Sequence, residues 1–420
     1  MGVRIVKRDN CPIWKRVCFY VVAVLAALIV GALVLLAIGV DPLEYYYKMF
    51  TMGTIGNRIA YKTIMNYLKE FVPLALTSVA LSLAFKMRFW NIGGEGQFIV
   101  GAIAAGTVAF KLGPILPMWL TVIVMCLIAM LAAGLYGLIA GLLKVRFGTN
   151  ETLMTLMLNY VALYVLIFIG DTKADWNFFL QSDSLRPVFE KFDDLASFPS
   201  IPIGDKFQLN ICVILAFLIG AAVFFYLKYT KQGYEVSVVG DSMGTAHYAG
   251  MKVKRIIIRT VFLSAALIGL AAAFKVGTAG VLSTSITDDV GWTGIIVAWL
   301  AQLSTPMIFV VSALICVLQF GSTIAATTFA QVDSSFANML QGVILFLVLA
   351  ADFLIRFKIV VDKKGAKQGA GAPAEAVALD TDAQMATRVA SEVASEDALA
   401  QESNADAAQT VVEEGGMTNE

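Results

Sequence analysis

The chain has 420 residues, of which 59% are apolar and 15% are charged. Soluble globular proteins carry about 25% charged residues, so this composition excludes an ordinary soluble domain. The formal net charge is zero because residues 1–362 are basic and residues 363–420 are acidic, so the two charges cancel. The sequence contains no basic stripe interleaved with aromatic residues, the pattern that would indicate nucleic-acid binding.

The first apolar run covers residues 17–40 and contains no charged residue. A bilayer core of about 30 Å requires about 20 apolar helical residues, and backbone groups in lipid must find their hydrogen bonds within the segment. The run is therefore predicted to be a membrane-spanning helix. It follows a basic segment, residues 1–16, which the preference for positive charge on the inner side places in the cytoplasm.

Further apolar runs predict an all-α membrane domain over residues 17–358 with about ten crossings. The helices predicted after the first cover residues 70–88, 96–112, 118–143, 152–170, 208–228, 256–274, 290–303, 307–325 and 338–356. Basic clusters then flank the inner loops, which places both termini in the cytoplasm. The run at 290–303 is short enough to be a re-entrant segment. Residues 363–420 are acidic and lack aromatic residues, so we expect a disordered cytoplasmic tail.

A glycine-rich polar stretch, residues 90–97 (WNIGGEGQ), separates two of these runs. Its glycines disfavour an unbroken helix, and irregular backbone within a membrane is tolerated where it lines a cavity or is buried in protein. Glu95 is therefore a candidate for a solute pathway. The alternative is an inner turn in which Glu95 caps the following helix near its positive end.

Two later segments carry further polar candidates for the pathway. Asn159 lies about two turns beyond Thr152 on the same face of its helix, where it can bind solute or, in the commoner role, hold a neighbouring helix. Asp288 and Asp289 precede Trp292 at a membrane boundary. These three residues are candidates for a solute gate, and the alternative is an outer turn followed by an interfacial tryptophan.

The inner loop at residues 232–255 is predicted to contain a short helix. Asp241 or Ser242 can cap it, and Gly250 can end it. Its small and mildly apolar side chains suit insertion into a cleft of a cytosolic partner. The alternative is a helix that lies on anionic lipid. The candidate residues for coupling to such a partner are Gly233, Asp241, Ala246, Tyr248, Ala249 and Gly250.

Catalytic machinery is missing from the sequence. His247 is the single histidine, no Ser-His-Asp set surrounds it, and no pair among the five cysteines has metal-ligand spacing. The phosphate-binding pattern G-x-x-x-x-G-K-[ST] does not occur. The chain is therefore predicted not to be an enzyme and to bind no metal or cofactor. Any ATP used in transport must be hydrolysed by another subunit.

Four segments together resemble the permease subunits of nucleoside and simple-sugar ABC importers, which are grouped with the ribose and branched-chain amino-acid permeases. These segments are WNIGGEGQ (90–97), GTNETLMTLMLNY (148–160), GYEVSVVGDSMGTAHYAGM (233–251) and GWTGIIVAWLAQLSTP (291–306), and they occur in the family's order. The resemblance implies a helical fold in which two permease chains line one path. Asn91, Glu95 and Gln97 match the family's polar membrane motif, so the resemblance makes all three candidates for that path. It also implies two ATPase subunits docked on residues 233–251 and an extracellular binding protein that delivers solute.

The sequence thus predicts a permease subunit in a bacterial plasma membrane that imports a small polar solute by alternating access. Residues 90–97 and 148–160 resemble the nucleoside branch most, so a nucleoside is the expected solute and a simple sugar is the alternative. An ion-coupled secondary transporter is a further alternative, because Glu95 offers one titratable group within the membrane. The second half of the sequence offers no obvious matching group for such a mechanism.

Overall fold

A computed structural model of the chain describes residues 2–7, 12–55, 59–193, 196–203, 206–329, 331–333 and 335–362. These residues form helices and two separate two-stranded sheets. The helices are α1 (Ile13–Ile38), α2 (Pro42–Thr51), α3 (Ala60–Lys86), α4 (Gly94–Leu112), α5 (Met118–Phe147), α6 (Glu151–Asp171), α7 (Ile211–Tyr229), α8 (Lys231–Asp241), α9 (Met243–Tyr248), α10 (Val253–Ala279), α11 (Val290–Leu300), α12 (Thr305–Ala326) and α13 (Ser335–Arg356). The strands are β1 (Gly2–Lys7), β2 (Ser200–Ile203), β3 (Phe207–Asn210) and β4 (Phe357–Asp362).

Eight of the described helices are long and apolar enough to cross a membrane, namely α1, α3, α5, α6, α7, α10, α12 and α13. The other two predicted crossings correspond to α4 and α11. Helix α11 has 11 residues, which at about 1.5 Å per residue span about half of a bilayer core. This length agrees with the re-entrant alternative. The count of ten crossings and the cytoplasmic placement of both termini remain predictions.

Helices α3 and α10, each with 27 residues, are the most buried of the spans and form the centre of the helical unit. Small residues let their neighbours approach closely. A Cβ atom added to Gly269 of α10 would lie 2.3 Å from the carbonyl oxygen of Ala129 in α5, and one added to Gly137 of α5 would lie 2.4 Å from Cβ of Ala265. The backbones of α5 and α10 are therefore in direct contact.

Both central helices end in a sharp break that is followed by a shorter apolar helix. Residues 87–93 separate α3 from α4, and residues 280–289 separate α10 from α11. Arg88, Asp288 and Asp289 adopt positive φ angles of 57°, 44° and 57°, a conformation that non-glycine residues rarely adopt. The two breaks bring the first turns of α4 and α11 together inside the bundle, as described below.

Two connections differ from the sequence prediction. Helix α3 begins at Ala60, earlier than the predicted residue 70, because its first turns contain charged and polar residues that lower the local hydropathy. Strands β2 and β3 form an antiparallel hairpin with Ser200 opposite Asn210, where the start of a helix at 208 was predicted. The Asn210 side chain then accepts a hydrogen bond from the backbone NH of Cys212 at 2.9 Å and caps α7.

Strands β1 and β4 pair with one another. Most of this pair belongs to a compact unit separate from the helical one. The predicted N-terminal segment, residues 1–16, therefore contains a strand and the start of α1. The predicted disordered tail, residues 363–420, lies outside the described residues.

Candidate functional site

Amide hydrogen bonds hold the break between α3 and α4. Nδ2 of Asn91 donates to Oε1 of Gln97 at 3.1 Å, and Nε2 of Gln97 donates back to Oδ1 of Asn91 at 3.0 Å. Oδ1 of Asn91 also accepts from the backbone NH of Gly93 at 3.1 Å. Both side chains are buried. Each of the two side-chain amides thus provides hydrogen-bond partners for the other, and a buried polar group without such a partner would cost about 1–3 kcal/mol.

Helix α6 braces the same break from the side. Nδ2 of Asn159 donates to the carbonyl oxygen of Ile92 at 2.8 Å, and its Oδ1 accepts from the backbone NH of Gly96 at 2.8 Å. Oγ1 of Thr155, one turn earlier, accepts from the backbone NH of Ile92 at 3.2 Å. These contacts correspond to the helix-holding alternative for Asn159. Contact of Asn91, Gln97 or Asn159 with a solute remains a prediction.

Glu95 lies in the first turn of α4 but caps another helix. Its side chain is buried, and Oε2 accepts from the backbone NH of Gly291 at 2.8 Å. Asp289, the residue before α11, makes no capping bond of its own. The Glu95 side chain therefore satisfies a free NH group in the first turn of α11.

A second contact joins α11 to the same break. The indole rings of Trp90 and Trp299 are stacked, with centroids 5.3 Å apart and planes inclined by 16°. Phe85, near the end of α3, packs against both rings. Residues 90–97 thus hold α11 at its first turn through Glu95 and at its last turn through Trp90, so α11 and the α3–α4 break form one packed unit.

A buried lysine and two carboxylates connect α3, α10 and the α10–α11 break. Nζ of Lys275 donates to Oδ2 of Asp288 at 2.8 Å and to the carboxylate of Glu70. The Lys275 side chain is 8% exposed, whereas those of Glu70 and Asp288 are 37% and 54% exposed. The cation is therefore withdrawn from solvent, and both of its partners remain accessible.

Those carboxylates face an open polar cavity of about 390 Å³ that is lined by residues of α3, α12, α13 and the start of α11. The polar and charged lining residues are Glu70, Asp288, Asp289, Gln319, Thr323 and Asn338. Apolar walls come from residues such as Leu74, Val290 and Phe320. Small-molecule sites typically have volumes of about 300–1,000 Å³ and mix apolar walls with a few polar groups, so this cavity has the size and the chemistry of a solute site.

The structure places the predicted pathway residues in three locations. Asp288 and Asp289 line the cavity. The amides of Asn91, Gln97 and Asn159 hold the α3–α4 break, and the Glu95 carboxylate lies on the first turn of α11. Trp292 lies on α11 and is 37% exposed, but it is not part of the cavity lining.

Sequence reasoning missed Lys275, Glu70 and the cavity amides. Lys275 is the single charged residue between Arg259 and Asp288. A charge inside such a run is a functional signal that could have been found. Glu70 stands at the start of the apolar part of α3 and gave a weaker signal. Hydrophobic periodicity could not predict that Lys275 pairs with Glu70, because the two residues are 205 positions apart in the sequence.

The predicted inner loop at 232–255 contains helices α8 and α9, which contact both central helices. Oε2 of Glu235 in α8 accepts from Arg259 of α10 at 3.1 Å. A Cβ atom added to Gly240 would lie 2.0 Å from the carbonyl oxygen of Lys86, at the end of α3. A displacement of α8 would therefore act on α3 at the beginning of its break and on α10 near its start.

The ends of α9 lie where the sequence predicted them, but its buried face differs from the prediction. Oγ of Ser242 accepts from the backbone NH of Thr245 at 3.2 Å, and Gly250 follows with φ of 74°, which confirms the predicted cap and stop. Ala246 is fully buried, so the prediction that it contacts a partner is corrected. Gly233 is also buried, because it packs on the carbonyl groups at the end of α7. The exposed candidates are Asp241, Tyr248, Ala249 and Gly250.

Comparison with known proteins finds a family that matches most of the helical unit. The family described as branched-chain amino acid transport system / permease component matches residues 63–349. The match begins in α3 and ends in α13, so it includes both breaks, the cavity and α8–α9. No solved structure gives a significant match.

Several curated relatives of this chain are transport permeases. A guanosine ABC transporter permease protein of Bacillus subtilis is 29% identical over 82% of this chain and 96% of its own length. A glucose ABC transporter permease protein of Haloferax volcanii is 27% identical over 89% of this chain and 97% of its own. A nucleoside ABC transporter permease protein of Lactococcus lactis is 28% identical over 81% and 92%, respectively.

Proposed function

Because the chain belongs to the permease-component family of branched-chain amino acid transport systems, we propose that it is the membrane-spanning subunit of an ATP-driven importer for a small polar solute. It acts in a bacterial plasma membrane with ATPase subunits, a second permease subunit and an extracellular solute-binding protein. The chain itself performs no bond chemistry. ATP binds and reacts on the partner ATPase subunits.

The polar cavity carries this proposal. Among the described residues, which include eight apolar spans, three carboxylates and two amide side chains line one open cavity. Ionisable groups within a membrane domain are costly unless they are paired or face water or a ligand. One lysine pairs with two of these carboxylates, and the amide nitrogen of Gln319 donates to Thr293 and Gln341. The accessible carboxylate oxygens, the Gln319 side-chain oxygen and the Asn338 amide can bind a solute. We therefore assign the cavity to solute passage.

The contacts of α8 and α9 supply a route for the driving motion. When ATP binding brings the ATPase subunits together, they displace α8–α9. Gly240 transmits the displacement to the end of α3, and Glu235 transmits it to α10. The α3–α4 break and α11 move as one unit because Glu95 and Trp90 join them. Reorientation of this unit alternates access to the cavity.

The most exposed candidate of this segment provides a test of ATPase docking. Tyr248 is 94% exposed, and interface tyrosines often contribute more than about 2 kcal/mol when they fill a pocket. Tyr248→Ala is expected to weaken ATPase binding about tenfold or more and to lower uptake, with the fold unchanged. Tyr47→Ala on α2, a 56% exposed tyrosine outside α8–α9, is the control. Equal ATPase affinity of both variants would contradict the docking assignment.

A nucleoside fits the cavity better than a simple sugar. Amide and carboxylate groups such as Gln319 and Glu70 can bind hydroxyls and the polar edge of a base, and Phe320 offers an aromatic face for its rings. A sugar would use the polar groups alone. The relatives that transport guanosine and nucleosides point to the same class, although one relative is a glucose permease.

Competition in vesicles tests the solute class. With the complete transporter reconstituted, excess unlabelled nucleoside is expected to abolish ATP-driven uptake of labelled nucleoside, and excess glucose or arabinose is expected to leave it unchanged. Phe320→Leu should raise KM about tenfold, since stacking of a base on an aromatic ring is worth about 1–3 kcal/mol. Phe217→Leu, at an exposed aromatic outside the cavity, is the control. Competition by sugar alone would favour the sugar alternative.

A further inference from the structure

One face of α6 carries two tyrosine side chains that are at least half exposed. Tyr160 and Tyr164 are 50% and 65% exposed. They border an open concavity of about 560 Å³. The concavity is lined by Met157, Tyr160, Val161, Tyr164, Val165 and Phe168. The opposite face of α6 is buried and includes Thr155 and Asn159, which brace the α3–α4 break.

The two tyrosines lie near the middle of their span. Helix α6 has 21 residues between Glu151 and Asp171, which corresponds to about 32 Å. Tyr160 and Tyr164 are about 14 Å and 20 Å from its first residue at the same rise. Tyrosine in membrane proteins is enriched at the two interfaces, where its hydroxyl reaches water. Neither position places the hydroxyl there.

Both hydroxyl groups lack a hydrogen-bond partner among the residues that the structure describes. Tyr136, by contrast, donates to the carbonyl oxygen of Leu158 at 2.7 Å. Hydrocarbon offers a phenol no donor or acceptor, so a hydroxyl that faces lipid at this depth is destabilising. A phenol both donates and accepts, and serine, threonine, tyrosine, amide and carbonyl groups can all satisfy it.

The exposed faces of α1 and α5 have the composition expected for lipid contact, and the exposed aromatic residues in the central part of α7 and α13, such as Phe217 and Phe346, carry no hydroxyl group. The large exposed residues in the central part of α5 are Leu127, Ile128, Leu131 and Leu135. Those of α1 include Leu25, Ile29 and Leu33. These faces are aliphatic, so lipid tails satisfy them fully. The aromatic face of α6 therefore differs in kind from the exposed faces of α1 and α5.

We infer that the aromatic face of α6 packs against a membrane-spanning helix of a second permease subunit, which presents hydrogen-bonding groups at mid-membrane depth. The inference rests on the proposed function, in which two permease subunits form one importer. A helix seated in the concavity satisfies both hydroxyls and covers the aromatic rings. The opposite face of α6 holds the α3–α4 break through Asn159. Helix α6 therefore lies between the subunit contact and the segment that contains Glu95.

Site-specific photocross-linking in the complete reconstituted transporter tests this contact. Benzoylphenylalanine at position 164 is expected to form a covalent adduct with a membrane helix of a permease subunit, identified by mass and peptide mapping. The control replaces Leu135 of α5, which is 60% exposed, and should give lipid adducts. Lipid adducts at both positions would overturn the inference, and so would an adduct with any other class of protein at position 164.

A second measurement does not depend on cross-linking. Nitroxide labels are placed at Tyr160→Cys and Leu131→Cys in chains whose native cysteines have been replaced. Oxygen accessibility is expected to be several-fold lower at position 160 than at 131. Equal accessibility in vesicles that still take up solute with ATP would overturn the α6 contact and leave the proposed function intact. If the unmodified, reconstituted transporter took up no solute with ATP, that result would instead count against the proposed function.

Discussion

Replacing Glu70 by Gln together with Asp288 by Asn is expected to lower the free energy of unfolding by about 3–5 kcal/mol, the range found when a buried charge loses its partners. The Lys275 side chain is 8% exposed, and its ammonium group bonds to these two carboxylates. Without them, the cation stays within the bundle with neither water nor a counter-charge. Denaturation in detergent micelles, followed by tryptophan fluorescence, measures the change.

Removing the lysine instead of the two carboxylates should lower the free energy of unfolding much less. Lys275→Met leaves Glu70 and Asp288, whose side chains are 37% and 54% exposed, and water can solvate both. The triple variant with Lys275→Met should therefore recover most of the stability that the double variant loses, because a buried ion pair can often be replaced by apolar groups at little cost. A double variant as stable as the wild type, or a triple variant no better than the double, would contradict this interpretation.

Gly291→Ala is expected to lower the free energy of unfolding by about 1–3 kcal/mol, the usual cost of overpacking, and to abolish uptake. The added Cβ would lie 2.3 Å from the backbone nitrogen and 2.5 Å from Cα of Glu95. Because these are backbone atoms of α4, a rotamer change cannot relieve the overlap. The first turns of α4 and α11 must separate, and the bond between Glu95 and Gly291 is lost.

Gly342→Ala on α13 is the matched control. No atom lies within 4 Å of the Cβ that it adds, and alanine is preferred to glycine in a helix by about 1 kcal/mol. This variant should keep or slightly raise stability and should transport normally. If Gly291→Ala unfolds and transports like Gly342→Ala, the close contact between α4 and α11 is not required.

The sequence predicted the long helices well because each is an apolar run with local end signals. Helix α6 was predicted at 152–170 and extends from Glu151 to Asp171. Its start is set by Asn150, whose side chain accepts from the backbone NH groups of Thr152 and Leu153. The β2–β3 hairpin was missed because its strands have four residues each, and those of β2 are all exposed. Neither strand offers the alternating pattern that marks a half-buried strand.

The site was only partly predictable, because its contacts join distant positions. The glycine-rich stretch identified Glu95, but its partner Gly291 lies 196 positions away. Ser242 and Gly250 marked the ends of α9 through local turn chemistry. The orientation of α9 depends on tertiary packing that its six residues do not encode, so Ala246 was placed on the wrong face. Local signals thus fixed the helix ends, whereas the pairing of distant groups required the fold.

ATP-dependent uptake into vesicles tests the central claim most directly. Vesicles with this chain, its ATPase subunits, the second permease subunit and the binding protein are expected to accumulate solute against a gradient only when ATP is supplied to the ATPase side. Vesicles that contain the chain without the ATPase subunits should accumulate none, with or without an ion gradient. Uphill accumulation by the chain alone, driven by protons or sodium, would contradict the account and support an ion-coupled transporter.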